Sequence, residues 1–199
     1  MRRKSSLISH RSKPRALLLP SSLRPTVIVL ASGRGERFRA SGGLTHKLQA
    51  LLGGRSVIDW TLAAVRASGL PFHVEDGGHA GMGDSIAAAV RATASAQGWL
   101  ILPADLPLIQ SQTILAVARA LDGTNIVQPS YQGAKGHPVG FSAVHYAALS
   151  NLKQNTGGVS VIRSYGAMQI IVDDIGCVTD IDTVDDLKQA QLLIDQTAA

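Results

Sequence analysis

The sequence predicts an α/β fold in which a parallel sheet is covered by helices. From Thr26 onward, short apolar runs bounded by Gly or Pro alternate with longer segments rich in Ala and Leu, the pattern of strands connected by helices. The apolar runs at residues 27–30 and 99–102 have the length and composition of buried strands. A chain of 199 residues falls in the size range of one domain. We therefore expect residues 26–199 to form a single domain.

The elements in the first half of the chain follow from periodicity and from their boundaries. In order, they are a strand at residues 27–30, a helix at 57–67, a strand at 72–74, a helix at 85–96 and a strand at 99–102. The first helix is indicated by Ile58, Leu62 and Val65, which share one helical face, and by Gly69 near its end. The last of these strands stops at Pro103, which has no backbone N–H for a central ladder.

The second half continues the same alternation. It contains a predicted helix at residues 114–121, strands at 125–127 and 138–141, helices at 143–149 and 159–163, a strand at 168–172 and a final helix. Ile114 and Val117 mark the apolar face of the first of these helices. Leu187, Ala190 and Ile194 form the apolar stripe of the last one.

The net charge of +5 is concentrated at the start of the chain. Residues 1–25 hold seven of the 19 basic residues and no acidic residue, so the remainder has 12 basic against 14 acidic residues, a net charge of about −2. We expect residues 1–25 to be a basic leader, either a disordered tail or the product of a start assigned too early. A basic arm that contacts an acidic partner is the alternative. The apolar run at residues 16–19 is too short for a secretory signal.

Composition also argues against several classes of protein. Because the body of the chain is not basic, a nucleic-acid partner is not expected. No apolar run approaches the roughly 20 residues that cross a bilayer, so no membrane association is expected. The single cysteine, Cys177, excludes an internal disulfide and a Cys-rich metal site, and it fits a reducing cytoplasm.

The segment after the first strand carries the strongest indication of function. Residues 30–38 read Leu-Ala-Ser-Gly-Arg-Gly-Glu-Arg-Phe, and Lys47 stands nine residues further on. Glycines after a strand let backbone N–H groups approach an anion, and Arg34, Arg37 and Lys47 supply the charge that neutralises a triphosphate. The nucleotide-binding residues predicted here are Leu30, Ala31, Ser32, Gly33, Arg34 and Gly35.

Two familiar phosphate loops do not fit this segment. A P-loop ends in Gly-Lys-Ser/Thr, which is absent. A dinucleotide-binding loop has a glycine where Phe38 stands, and a side chain such as that of Arg34 would crowd its pyrophosphate. A basic, solvated connection between strand and helix is the alternative interpretation.

A carboxylate stands just beyond the strand at residues 99–102. Asp105 lies between Pro103 and Pro107, and in an open parallel sheet the ligand crevice runs along the carboxyl ends of the strands. Mg²⁺ is usually held by one or two carboxylates together with substrate phosphates. We therefore expect Asp105 to bind Mg²⁺; the alternative is that it caps a turn between the two prolines.

A glycine turn at residues 81–86 leads into a predicted helix. Asp84 or Ser85 is expected to be the N-cap of that helix. Flexible glycines and free N–H groups at a helix N-terminus also suit contact with a nucleotide, and the two roles are compatible. The nucleotide contacts predicted in this segment are Gly81, Met82, Gly83 and Ser85.

Two later segments supply further candidates. Residues 133–138 are basic and turn-rich, and Lys135 and His137 are candidates for substrate contact; a solvent-exposed lysine and a structural histidine are the alternatives. In residues 180–186, Thr183 and Asp186 match the start of a helix, so Asp185 and Asp186 are expected to cap it or to face its dipole. Asp182 precedes the cap and is free to reach a metal ion.

In this order, the segments resemble the MobA-like nucleotidyltransferases, most closely their molybdenum-cofactor cytidylyltransferase branch. Residues 30–38 look like that family's Leu-Ala-Ala-Gly loop, which ends in Arg-Met or Arg-Phe. Further segments follow at matching places: Lys47-Leu48 and residues 81–86, 103–107, 136–138 and 180–186. The resemblance runs from residue 26 to about residue 194 and omits only the leader.

The resemblance implies a Rossmann-like, three-layer nucleotidyltransferase fold with a mostly parallel sheet and Mg²⁺ at the site. In the implied reaction, an NTP loses pyrophosphate as its α-phosphate is attacked by the phosphate of a small-molecule acceptor, molybdopterin or the molybdenum cofactor. Arg37 and Lys47 would hold the triphosphate as catalytic residues, and Asp105, joined by Asp182, would hold Mg²⁺. Guanylyl-transferring relatives usually carry a second glycine where Ser32 stands, which favours CTP over GTP here.

Two other functions are compatible with the same segments. A nucleotidyltransferase that acts on a sugar or alditol phosphate would share every one of these loops. A non-catalytic nucleotide-binding protein that assists the maturation of a molybdoenzyme belongs to a different class. The short connection at residues 69–81 favours this accessory role, whereas the presence of Arg37, Lys47 and Asp105 opposes it.

Overall fold

The structure, a computed structural model, describes residues 24–154 and 156–198. In them, the strands are β1 (Thr26–Leu30), β2 (Leu51–Leu52), β3 (Arg55–Ser56), β4 (Phe72–Glu75), β5 (Gly98–Pro103), β6 (Ile126–Tyr131), β7 (Ala134–Lys135), β8 (Val139–Ser142) and β9 (Met168–Ile171). The α-helices are α1 (Glu36–Ala40), α2 (Val57–Ser68), α3 (Met82–Ala92), α4 (Ser111–Ala120), α5 (Tyr146–Ser150), α6 (Gly158–Tyr165) and α7 (Val184–Ala198). Of the predicted leader, residues 1–23 lie outside the described residues. No helix in the described part has the length and apolar character needed to span a membrane.

Among the described residues, seven strands form one sheet in the order β4-β1-β5-β8-β6-β7, with β9 paired to β6. Strand β1 pairs in parallel with β4 and β5, and β6 pairs in parallel with β9, whereas β8 and β7 are antiparallel to their neighbours. The predicted mostly parallel sheet is therefore confirmed. The exceptions have a simple cause: the connections between β6, β7 and β8 are too short for the crossover of a dozen or more residues that parallel strands require.

Both faces of the sheet are buried under helices. Val27 and Val29 of β1 belong to one core cluster, which includes residues of α2, α4 and α7. Ile28 belongs to a second cluster, which includes residues of α3, α5 and α6. Side chains alternate between the two faces of a strand, so a strand covered on both faces is apolar throughout. The predicted three-layer architecture is confirmed.

Helix α3 differs from its prediction at the start. It begins at Met82, earlier than residue 85, and Gly81 is the N-cap residue, so the prediction of Asp84 or Ser85 as N-cap is wrong. The cause is a contact with the loop before α6. The Gly83 N–H donates to the Gln154 carbonyl oxygen (2.7 Å), and Asp84 Oδ2 accepts from the Gln154 N–H (2.9 Å). These tertiary bonds outweigh the low helix propensity of glycine.

Helix α7 begins with the predicted capping residues. The Thr183 N–H donates to Asp186 Oδ2 (2.7 Å), and the Asp186 N–H donates to Thr183 Oγ1 (3.2 Å), which is a reciprocal capping box. Burial alone would raise the pKa of Asp186, but the hydrogen bonds from Thr183 and from the Asp182 N–H lower it. The capping box fixes the backbone at Asp182 and so determines where its carboxylate points.

Candidate active site

The loops after three parallel strands meet at one edge of the sheet. Strands β4, β1 and β5 lie side by side, so the chain leaves their carboxyl ends at the same edge. A cavity of about 660 Å³ opens there, a size typical of small-molecule sites. The residues predicted for the site that line it are Leu30, Ser32, Gly33, Arg34, Gly35, Arg37, Lys47, Gly81, Met82, Ser85, Asp105, Lys135, His137 and Asp182.

The loop between β1 and α1, residues 31–35, has no regular secondary structure and is held by two features. Gly35 has φ 63°, in the left-handed region that favours glycine, and it leads into α1. His46 Nε2 donates to the Gly33 carbonyl oxygen (2.8 Å), and His46 Nδ1 accepts from the Leu48 N–H (3.3 Å). His46 therefore ties this loop to the chain beside Lys47.

The structure does not bring two of the predicted nucleotide contacts to the cavity. The Ala31 N–H donates to the Glu75 carbonyl oxygen (2.8 Å), which continues the pairing of β1 with β4. Gly83 is buried, and a Cβ at this position would lie 2.7 Å from the Thr156 carbonyl oxygen. The close approach of that loop explains a glycine at residue 83 without a ligand.

In one part of the cavity, the described lining residues form no ion pair with a lysine or an arginine. We call this part the neutral end; it is lined by Ser32, His79, Gly81, Met82 and Ser85. Ser32 Oγ and Ser85 Oγ are hydrogen-bonded at 2.7 Å, and Ser85 Oγ donates to the Gly81 carbonyl oxygen (3.2 Å). A hydroxyl has one proton, so Ser32 is the donor to Ser85. The lone pairs of Ser32 Oγ are then acceptors.

The opposite part of the cavity is a cluster of four charges; we call Arg37, Lys47, Asp105 and Asp182 its charged end. Lys47 Nζ lies 2.5 Å from Asp105 Oδ2 and 3.0 Å from Asp182 Oδ1. Arg37 Nη1 lies 2.6 Å from Asp182 Oδ2. The side chain of Lys47 is 12% exposed and that of Arg37 is 76% exposed, so the lysine is fixed within the cluster and the arginine faces solvent.

The charge state of Lys47 follows from its two partners. Burial alone would lower the pKa of Lys47, but the charge of Asp105 and the hydrogen bonds to Asp105 and Asp182 outweigh it, and the pKa is raised. Lys47 is therefore a cation at neutral pH. A buried lysine that is kept charged by carboxylates can exchange them for the phosphates of a ligand.

Asp105 has one oxygen that fits a metal ion. Its Oδ1 is buried and has no hydrogen-bond partner among the described residues, whereas Oδ2 is bound to Lys47. Both oxygens of Asp182 contact cations. The pKa of the nearby Asp180 is raised, first by burial and then by the negative charges of Asp182 and Asp105. Within residues 24–154 and 156–198, no group of three or more His, Cys, Asp or Glu side chains is arranged to hold a metal. The donor set suits Mg²⁺, which takes few carboxylates and completes its shell with phosphates and water.

Lys135 and His137 lie on a third wall of the cavity. Lys135 is exposed on β7. His137 is half-buried, and its Nδ1 has no partner in the described part of the chain. Burial lowers the pKa of His137, although the charge of Asp105 opposes this, so the ring is neutral at pH 7. The His137 N–H donates to the Cys177 carbonyl oxygen (2.8 Å), which holds this wall against the segment that leads to Asp182.

Sequence reasoning missed the pair formed by Glu75 and His79. Glu75 ends β4, and its Oε1 lies 3.0 Å from Nε2 of His79, which lines the cavity. The available signal was a carboxylate at the end of a predicted strand, the same signal that identified Asp105. His79 itself lies in a loop without periodicity and gave no signal of its own.

The fold and this edge cavity define an α/β protein with a ligand crevice at the carboxyl ends of its parallel strands. The chain belongs to the MobA-like NTP transferase domain family, whose sequence profile matches residues 63–169, more than half of its length. It is therefore an enzyme of the nucleotidyltransferase type. A search of curated proteins gives no match.

Solved structures support the same fold at low sequence identity. Rv0371c from Mycobacterium tuberculosis H37Rv is 21% identical with a TM-score of 0.72, covering 87% of this chain and 100% of that one; it has also been solved in complex with manganese. Molybdopterin-guanine dinucleotide biosynthesis protein A from Archaeoglobus fulgidus is 16% identical with a TM-score of 0.61, covering 86% and 99%. The 4-diphosphocytidyl-2C-methyl-D-erythritol synthase from Anaerococcus prevotii is 14% identical with a TM-score of 0.68, covering 88% and 100%.

Proposed function

We propose that this protein transfers CMP from CTP to a phosphorylated small molecule of the molybdopterin class, with Mg²⁺ as cofactor and release of pyrophosphate. The observation that carries the proposal is the charged end, where two cations and two carboxylates are in direct contact next to the glycine-containing loop. Membership of the MobA-like NTP transferase domain family supplies the class of reaction.

In the proposed reaction, an oxygen of the acceptor phosphate attacks the α-phosphorus of the NTP. A new P–O bond forms, the bond from the α-phosphorus to the bridging oxygen breaks, and pyrophosphate leaves with the electron pair. Arg37 and Lys47 hold the triphosphate and stabilise the departing pyrophosphate. Gly33 and Gly35 allow the backbone to approach the phosphates closely. Such a reaction depends on positioning and charge neutralisation, and no nucleophilic side chain is required.

The ion pairs of the charged end explain how the site accepts a polyanion. Lys47 and Arg37 bind carboxylates in the structure, and an arriving triphosphate competes for the same cations. Arg37 is mostly exposed, so its pair with Asp182 is weak and the side chain turns to the ligand at little cost. Release of Asp182 from Arg37 then makes a second carboxylate available beside Asp105.

Asp105, through Oδ1, and Asp182 would hold Mg²⁺. When bound, the ion neutralises negative charge on the α-phosphate and orients it. Support comes from the buried, unpartnered Asp105 Oδ1 and from Rv0371c, a protein of the same fold that has been solved in complex with manganese. The role of the protein is to place the two carboxylates and to keep Lys47 charged between them.

The acceptor would bind along the wall formed by Lys135 and His137. The exposed ammonium of Lys135 attracts the acceptor phosphate, and the neutral ring of His137 offers a hydrogen bond without adding charge. The molybdopterin class is favoured by the likeness to molybdopterin-guanine dinucleotide biosynthesis protein A. A molybdoenzyme that receives the product is the partner expected on this proposal, and the cytoplasm is the expected compartment.

Ser32 would favour the smaller base. It stands where guanylyl-transferring relatives usually have a second glycine, and its side chain is fixed by the hydrogen bond to Ser85 at the neutral end. A fixed side chain reduces the space for a purine more than a mobile one would. CTP is therefore proposed over GTP.

An acceptor from another chemical class is favoured by one specific observation. The likeness to the 4-diphosphocytidyl-2C-methyl-D-erythritol synthase from Anaerococcus prevotii supports an alditol phosphate as the second candidate. Both acceptors require the same charged end, so the geometry of the triphosphate site does not separate them.

The deciding experiment measures pyrophosphate release from each of the four NTPs with Mg²⁺ and molybdopterin, and then with sugar and alditol phosphates. We expect release from CTP with molybdopterin, and none without metal or without an acceptor. Turnover with an alditol phosphate alone would favour the second candidate. Binding of nucleotides without modification of any acceptor would favour a non-catalytic accessory role.

A further inference from the structure

The neutral end contains a histidine held in place by a buried carboxylate. His79 lies in the loop between β4 and α3 and lines the cavity with Ser32 and Gly81. Its Nε2 lies 3.0 Å from Glu75 Oε1, and its side chain is 29% exposed. The ring is therefore fixed on one edge and reachable from the cavity on the other.

Glu75 has the contacts of a positioning group. It is buried at the end of β4, its Oε1 also accepts from the Gly77 N–H (3.0 Å), and His73 Nε2 lies 3.5 Å from its Oε2. A Cβ at Gly77 would lie 2.8 Å from both Glu75 Oε1 and His79 Nε2, so a side chain there would displace the pair. Burial alone would raise the pKa of Glu75, but hydrogen bonds from Gly77 and His79 lower it, so the carboxylate is ionised at neutral pH.

The hydrogen bond to Glu75 determines which nitrogen of His79 carries the proton. An ionised carboxylate only accepts, so Nε2 is the donor, and in the Nε2–H tautomer Nδ1 is an acceptor. Nδ1 makes no hydrogen bond with any of the residues that the structure describes. Ser32 Oγ, whose proton is directed to Ser85, is a second acceptor at this end. Both residues line the cavity, so this end offers acceptors to a ligand group that carries N–H donors.

The position of His79 relative to the charged end suits the length of a nucleotide. His79 follows β4 and Asp105 follows β5, with β1 and its loop between them. Adjacent strands are about 4.8 Å apart, so the ends of β4 and β5 lie roughly 10 Å apart. A triphosphate at the charged end therefore leaves room for a ribose before the base reaches His79.

We propose that His79 is a specificity-determining residue that accepts a hydrogen bond from the exocyclic amino group of cytosine through Nδ1, and that Glu75 is its positioning residue. Uracil presents a carbonyl oxygen where cytosine presents this amino group, so the same acceptor repels it. The inference rests on the proposed function, because it takes the base to lie at the neutral end. It adds discrimination between cytosine and uracil. These two bases are similar in size, so the side chain of Ser32 cannot distinguish them by size.

The experiment compares the dissociation constants of Mg–CTP and Mg–UTP, measured by titration calorimetry on the full chain. We expect the wild-type protein to bind CTP about tenfold more tightly than UTP, the effect of one well-placed hydrogen bond. In His79→Phe, which keeps a planar ring and removes both nitrogens, this ratio should fall to within about twofold of one. His73→Phe is the matched control, because its ring contacts the other oxygen of Glu75 and does not line the cavity; its ratio should stay near tenfold.

The outcomes distinguish a failure of the role of His79 from a failure of the proposed function. Binding of CTP and UTP by His79→Phe with an unchanged tenfold ratio would overturn the role of His79 while leaving the proposed function in place. Failure of the wild-type protein to bind either nucleotide would contradict the proposed function, and this inference with it. A wild-type preference for UTP would also overturn the inference. If His79→Phe does not fold, as judged by its circular dichroism, His79→Ala gives the same test with a smaller side chain.

Discussion

The two ends of the cavity use different physical interactions. At the charged end, Lys47 bridges Asp105 and Asp182, and Arg37 completes the row of alternating charges. At the neutral end, Ser32 is hydrogen-bonded to Ser85, and His79 is hydrogen-bonded to Glu75. Charges attract any triphosphate, because all NTPs share the same phosphates. Hydrogen-bonding groups with fixed donors and acceptors distinguish one base from another.

The two ends are also built from different parts of the chain. The charged end combines residues after β1 and β5 with Asp182, which the capping box of α7 positions. The neutral end combines residues after β1 and β4 with the first turn of α3. Catalysis and base selection are therefore expected to respond to separate substitutions, and the predictions below test this separation.

The largest effect is expected at Asp105. In Asp105→Asn the charge that balances Lys47, and that would hold the metal on the proposed mechanism, is removed with almost no change in shape. We expect turnover to fall on the order of 10³-fold for every NTP, since loss of one preorganised electrostatic contact typically has this size. The measurement is pyrophosphate release, with the thermal midpoint as a test of folding. Asp122→Asn, an exposed aspartate outside the cavity, is the control and should keep the wild-type rate. An undiminished rate in Asp105→Asn would remove this residue from the mechanism.

A smaller effect is expected for the cations, and they should differ from each other. Lys47 is buried between two carboxylates, whereas Arg37 is mostly exposed. We expect Lys47→Met to lower kcat/KM about 10²-fold and Arg37→Met about tenfold, because a solvated charge is replaced by water more easily. In both variants the ratio of the CTP rate to the UTP rate should stay constant. A larger loss for Arg37 than for Lys47, or a change in this ratio, would contradict the assignment of these residues to the phosphates.

The charged end was more predictable from the sequence than the neutral end. The sequence predicts Asp105 because a carboxylate after a buried parallel strand falls at the ligand edge of the sheet, and this residue lines the cavity. Arg37 and Lys47 are predicted because their positive charge and the adjacent glycines suit a triphosphate, and both line the cavity. The contact of Asp182 with both cations depends on the packing of α7, which no local pattern encodes. The resemblance to a family only implied that Asp182 would join them.

The neutral end shows why the remainder was not predictable. A glycine after a strand can be required for either of two reasons: the backbone lies close to a ligand, or it lies close to another loop. At Gly83 the second reason applies. The early start of α3 is likewise set by a contact with a loop that is distant in sequence. The role proposed for His79 depends on a hydrogen bond to Glu75, which ends a strand, and such a contact has no signature in composition or spacing.

The third prediction concerns the packing of α3, which carries part of the neutral end, against the loop before α6. In Gly83→Ala the added Cβ would meet the carbonyl oxygens of Thr156 and Lys153 at 2.7 and 2.9 Å, so the loop before α6 must move. We expect the free energy of unfolding to fall by about 2 kcal/mol, within the range of overpacked sites, despite the better helix propensity of alanine. Urea unfolding measures this change. Gly123→Ala, where no atom lies within 4 Å of the added Cβ, should leave stability nearly unchanged; an equal loss in both would show that packing against this loop is not the cause.

The smallest effect concerns the pH dependence that Glu75 gives to stability. Its pKa in the folded protein is lowered below the ordinary value of 4.5, so the stabilisation from the ionised carboxylate is present above that pH and is lost as the pH falls through the folded pKa. At pH 7 we expect Glu75→Gln to be less stable than the wild type by about 1 kcal/mol, the usual net value of a hydrogen bond. The difference should shrink as unfolding is measured at pH values below 4.5. Glu36→Gln, at an exposed glutamate, should show no measurable difference at any of these pH values. A difference for Glu75→Gln that stays constant down to acid pH would show that the glutamate acts by shape alone, and that the ring of His79 is not held by a charge.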